Sequence, residues 1–107
     1  MTSKSPTRLP QGSPWKRRGG WLVRTERFAD FRAAMRWVGR VAREAERWNH
    51  HPRIDIRWNT VTLRLRTEEQ ARLTSKDWQW VDATADRLRR GRAAADRPPS
   101  IPGVTRG

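Results

Sequence analysis

The sequence predicts an α+β fold: an antiparallel sheet with two helices packed on one face, in the order β-α-β-β-α. Three observations carry it. Two runs of period-2 alternation lie back to back over residues 54–65, apolar patterns of helical period flank them, and turn or capping residues mark each join. At 107 residues the chain is about one domain long. Apolar content is only 35%, but seven tryptophans supply much burial per residue. A small core follows, and oligomerisation is the natural way to bury more surface.

Residues 1–20 are rich in Pro, Gly, Ser and bases, and read as a flexible basic arm on which Trp15 alone could dock. The folded domain is expected over 21–90. Trp21 to Phe28 suits a first strand, although Glu26 falls on the side shared by Leu22 and Phe28. Asp30 is placed to cap a helix over 31–48, whose apolar stripe is Phe31, Ala34, Met35, Val38, Val41, Ala42, Ala45 and Trp48. Pro52 disfavours helical geometry at His51, and Asn49 suits a left-handed stop.

Ile54, Ile56 and Trp58, then Val61, Leu63 and Leu65, alternate with polar residues about an Asn59-Thr60 link. That is a hairpin with Ile, Trp, Val and Leu on the buried face and Arg and Thr on the other. Thr74 to Asp77 fits a capping box, opening a helix over about 75–89 that buries Trp78, Val81, Ala85 and Leu88. Gly91 is expected to stop it, and 91–107 reads as a disordered tail.

The absence of cysteine removes disulfides, zinc–thiolate sites and thiol nucleophiles. Two histidines that diverge from adjacent extended residues leave only carboxylates to complete a metal shell, so no metal is expected. No Gly-rich phosphate loop or Ser-His-Asp pattern is present. No apolar run approaches the ~20 residues of a membrane span, and the N-terminus lacks an apolar signal core. A cytoplasmic location is expected. The net charge of +13 is concentrated toward the ends, since residues 1–20 hold five bases and no acid and residues 89–107 hold five arginines and one acid. Nucleic acid is therefore expected only as a non-specific partner of basic tails.

Site chemistry centres on His50 and His51, the only histidines. Imidazole titrates near neutrality and serves as acid or base, but a pair before proline is also a plain helix stop favoured by the negative helix end. Glu46 precedes His50 by four residues. On a continued helix it either orients that imidazole or forms a solvated surface pair. Asp77 belongs either to the cap or to the site, and Trp58 either stacks on a flat ligand or packs in a core or interface.

Taken in order, Phe28-x-x-Phe31, Val41-Ala42-x-x-Ala45, Glu46-x-x-x-His50-His51-Pro52, Trp58-Asn59-x-Val61 and Leu73-Thr74-x-x-Asp77 resemble the pterin-4a-carbinolamine dehydratase family over about residues 15–88. The resemblance implies a cofactor-free hydro-lyase that converts 4a-hydroxytetrahydropterin to quinonoid dihydropterin and water during tetrahydropterin recycling. It implies an α+β dimer or tetramer, and some animal members also bind a homeodomain transcription factor. Catalytic roles then fall on His50 and His51, with Glu46, Pro52, Trp58 and Asp77 binding or supporting. One position departs: the family's third histidine, in a T-H-x-x-x-G-L-T run, is matched by Glu68, and the run's glycine by Arg72. Glu68 is the candidate third catalytic group provided burial raises its pKa. The competing reading is an inactive dehydratase-like protein that binds a protein partner.

Overall fold

A computed structural model of the chain describes residues 8–97. Its elements are β1 (Trp15–Arg18), β2 (Trp21–Arg27), α1 (Phe31–Trp48), β3 (Arg53–Arg57), β4 (Thr60–Leu65), a 3-10 turn (Glu68–Gln70) and α2 (Ser75–Ala95). The strands form one antiparallel sheet in the order β1-β2-β4-β3. The fold class is α+β, as the sequence predicts.

The sheet has four strands rather than three. Gly19-Gly20, read above as the end of an arm, is the two-residue turn of a hairpin that pairs Arg18 with Trp21, and Gly19 takes φ +58. Trp15 anchors the added strand: it is buried, and its ring meets Trp80 edge-on at 6.0 Å. The expected arm therefore contains part of the domain; residues 1–7 and 98–107 of the expected arm and tail lie outside the described residues.

Helix α1 has the expected bounds. Asp30 accepts from the Ala33 amide at 2.8 Å, and Asn49 ends the helix in the left-handed conformation with φ 49. Its buried face differs from the expected stripe. Ala33, Ala34, Trp37, Val41 and Ala45 are buried, while Phe31, Met35 and Trp48 stay exposed. The helix is turned toward α2, where Trp37 Nε1 donates to the Leu88 carbonyl at 3.0 Å. Truncating so large a buried ring costs about 3–5 kcal/mol.

Helix α2 runs past Gly91 to Ala95, and Ala85 is exposed. Gly91 is instead a close approach of the two helices, since a Cβ there would lie 2.3 Å from Arg40 Cδ. The β3–β4 turn is Trp58–Asn59, one residue earlier than the expected link, because Arg57 pairs with Thr60. Trp58 takes φ 50 and is 67% exposed, so it leaves the buried face assigned to it. Asn59 is buried and clamps the turn to β2: its side-chain amide donates to the Phe28 carbonyl at 2.9 Å, and its own carbonyl accepts from the Phe28 amide at 2.8 Å. Ile54 is also exposed because β3 is an edge strand.

Leu22, Val61, Leu63 and Leu65 line the inner face of the sheet against the two helices. The misplaced Glu26 is explained here. Arg24, only 3% exposed, donates to Glu26 at 2.9 Å and lies 4.9 Å from the Trp37 ring centre, while Arg92 meets the other Glu26 oxygen at 3.2 Å. Burial lowers the Arg24 pKa, and Glu26 opposes that shift.

Candidate active site

The site forms where four element ends meet: the C-terminus of α1, the start of β3, the segment after β4 and the N-terminus of α2. The terminating turn at Asn49 brings the His50 amide back to the Ala45 carbonyl at 3.0 Å, and buried Pro52 directs the chain into β3. Thr74 and Asp77 form a reciprocal capping box, with the Thr74 amide donating to Asp77 Oδ2 at 2.8 Å.

Asp77 has two roles at once. Its carboxyl is fully buried, and while Oδ2 completes the cap, Oδ1 lies 2.6 Å from His50 Nε2. Thr67, also buried, donates to Oδ2 at 2.9 Å and its oxygen lies 2.5 Å from the Thr74 hydroxyl. Three donors thus fix one carboxylate, which in turn fixes one imidazole. With Nε2–H donated to a carboxylate, the His50 Nδ1 carries the free lone pair.

Glu46 reaches a different partner from the one its spacing suggested. It lies 2.6 Å from His51 Nε2, not on His50, because the chain leaves the helix at Asn49 and the two imidazoles diverge. This second pair is solvated: His51 is 53% and Glu46 79% exposed. Adjacent histidines are each bonded through Nε2 to their own carboxylate, one pair buried and one in water.

Glu68 lies on the surface, between Arg53 at 2.8 Å and Arg66 at 3.0 Å. The hydrogen bonds from Arg53 and then Arg66 hold its carboxyl below the usual range. The burial that would raise its pKa toward neutrality is absent. Both guanidiniums also stack on Trp21, at 4.6 and 4.0 Å from the ring centre.

A cavity of about 480 Å³ opens beside His50, bounded by Trp48, Asn49, Lys76, Gln79 and Trp80. The Trp80 Nε1 is buried and has no hydrogen-bond partner among the described residues. A larger cavity of about 650 Å³, between residues 8–15 and α2, contains neither histidine. The smaller one is the better candidate because it borders an imidazole and the larger does not. Among the described residues, no three His, Asp or Glu side chains converge as a metal shell, and no helix is long and apolar enough to cross a membrane.

Sequence reasoning missed Thr67, Arg53, Arg66 and Lys76. Thr67 and Arg53 act on residues of other elements and Lys76 borders the cavity, roles that the alternation of the strands does not signal. Thr67 could have been suspected only from its place at the head of the run that holds Glu68.

Comparisons with known proteins converge. The family model described as pterin 4 alpha carbinolamine dehydratase matches residues 2–87. A protein of Mycobacterium sp. (strain KMS), provisionally named pterin-4-alpha-carbinolamine dehydratase, is 43% identical over 82 residues, covering 74% of this chain and 87% of its own. A Thermomicrobium roseum protein with the same provisional name is 51% identical over 63 residues, covering 59% of this chain and 68% of its own. A crystal structure from Brucella melitensis, described as a transcriptional coactivator/pterin dehydratase, superposes with a TM-score of 0.59 at 25% identity, over 77% of this chain and 82% of that one.

Proposed function

Because the chain belongs to the pterin 4 alpha carbinolamine dehydratase family, we propose that it dehydrates 4a-hydroxytetrahydropterin to quinonoid dihydropterin and water. The observation that carries this reading is the pair of adjacent histidines, each held through Nε2 at 2.6 Å by its own carboxylate. The reaction needs one proton on the departing C4a hydroxyl and one taken from N5. The C4a–O bond breaks, water leaves, and the N5 lone pair closes the C=N bond. Proton transfer by positioned imidazoles is worth about 10²–10⁴-fold. His50, oriented from below by buried Asp77, supplies the fixed group; solvated His51 exchanges protons with water. Its exposed carboxylate partner leaves that exchange open.

Glu68 acts in this scheme as a fixed anion beside the site rather than as an acid, because Arg53 and Arg66 keep it ionised. Turnover is accordingly lower than in members with three histidines. Trp58, exposed at the hairpin tip, serves as an interface residue rather than as a pterin platform. We also infer a homo-oligomer: Phe31, Met35 and Ile54 are 50%, 39% and 38% exposed and β3 is an open sheet edge, surface of the kind that a second copy would cover.

The second reading is a dehydratase-like protein that binds a protein partner without catalysis. The same exposed apolar side chains favour it, together with the coactivator description of the Brucella structure. Stopped-flow dehydration of freshly generated 4a-hydroxytetrahydropterin separates the two. Wild type is expected to exceed the uncatalysed rate, with His50→Ala and His51→Ala each reducing the excess. A wild-type rate equal to background would sink the enzyme reading.

A further inference from the structure

We propose that the groove between α1 and α2 binds the phosphate backbone of a nucleic acid. This inference is independent of the dehydratase reading. The groove, about 410 Å³, is lined by Arg40, Arg43, Arg47, Arg87 and Arg90 around one carboxylate, Glu44, and the buried Leu88. Glu44 is sunk beneath the guanidiniums, with a side chain only 6% exposed, and is already engaged by Arg87 at 2.7 Å. Arg47 reaches it only at 3.7 Å, and Arg90 is paired with Asp86. Arg40 and Arg43 are exposed and make no hydrogen bond or ion pair among the described residues.

A solvated helix face usually mixes charge signs, because like charges at i,i+3 and i,i+4 are destabilising. Along helix α1, Arg36, Arg40, Arg43 and Arg47 follow one another at those spacings, and the acid set among them, Glu44, is buried and already engaged by Arg87 from α2. An external polyanion would relieve that repulsion. Arg40 to Arg47 spans about 10 Å at 1.5 Å per residue, comparable to the axial rise of about three nucleotides of one strand. Guanidinium groups also suit phosphate oxygens bidentately. An acidic protein partner is the poorer fit, because the groove exposes no apolar or aromatic anchor of the kind protein interfaces rely on, Leu88 being fully buried.

This relocates the expected nucleic-acid contact. Of the ten bases assigned above to flexible ends, Lys16, Arg17, Arg18, Arg89, Arg90 and Arg92 lie in β1 or α2. The contact is domain-borne and is concentrated on one face.

The test is fluorescence anisotropy of the full chain with a labelled 20-base-pair duplex, titrated between 50 and 200 mM salt. Arg40→Gln/Arg43→Gln is compared with Lys16→Gln/Arg18→Gln, which removes the same charge from the edge strand β1, outside the groove. The groove variant is expected to bind about tenfold or more weakly, and its salt slope should fall by about 1.8, or 0.9 per lost contact. The control should stay within about threefold of wild type. Thermal melts check folding, and Arg47→Gln/Arg90→Gln replaces the groove variant if it is unfolded. Equal losses in both variants, or no wild-type binding, would overturn the proposal. So would stronger displacement of the duplex by polyglutamate or inorganic polyphosphate than by unlabelled duplex.

Discussion

Asp77→Asn separates the two roles of Asp77. In the native chain, Oδ2 accepts from the Thr67 hydroxyl and the Thr74 amide, while Oδ1 meets His50 Nε2. The asparagine carbonyl must take the Oδ2 position, since two protein donors point there. Its amide nitrogen then faces His50 and donates, so Nε2 must give up its proton and Nδ1 acquires one. The cap survives and the tautomer inverts. Charge-assisted hydrogen bonds are roughly twice as strong as neutral ones, so weakening three of them costs about 2 kcal/mol after relief from burying a charge. That is roughly 8–16 °C in Tm for a domain of this size, within the ~5–15 kcal/mol total that such domains possess. Turnover should fall far more, by about 10²–10⁴-fold, because His50 then presents the wrong nitrogen. Stopped-flow dehydration gives the rate, a thermal melt gives the stability, and ¹⁵N NMR of the imidazole reports the tautomer. A folded Asp77→Asn protein turning over within about threefold of wild type would refute the assignment of Asp77 as the residue that positions His50.

Three further outcomes are expected. Glu68→His should raise turnover in a wild type with measurable activity and change stability by less than about 1 kcal/mol, since the two ion pairs it removes are exposed; unchanged turnover would mean position 68 does not limit the reaction. Glu44, whose carboxyl Arg87 holds below the usual range, stabilises the fold fully above its unfolded value of about 4.3 and loses that contribution as pH falls through the folded value. Glu44→Gln should therefore cost about 1 kcal/mol at pH 7 and flatten the acid limb of a Tm-against-pH curve, whereas an unchanged limb would place that pH dependence elsewhere. Gly91→Ala should lie within about 1 kcal/mol of wild type, because displacing the Arg40 side chain opposes the gain in helix propensity; a loss above about 3 kcal/mol in a urea titration would show that Arg40 cannot move aside.

The residues by themselves determined what depends on near neighbours in the chain. Asp30 and Asn49 bound α1 because capping is decided within one helical turn, and the alternation over 54–65 specified the hairpin because register follows side-chain direction. The His50-His51-Pro52 stop and the Thr74–Asp77 box were legible for the same reason. Only tertiary packing decided the remainder. Docking of α2 chose Trp37 over Phe31 and Met35 as the buried face of α1, and it placed Asp77 under a histidine 27 residues away. Glu46 moved from His50 to His51 because the turn at Asn49 broke the helical spacing on which the first pairing rested. Glu68 remained outside the protein because Arg53 and Arg66 converge there from two strand ends, and no local pattern encodes that convergence.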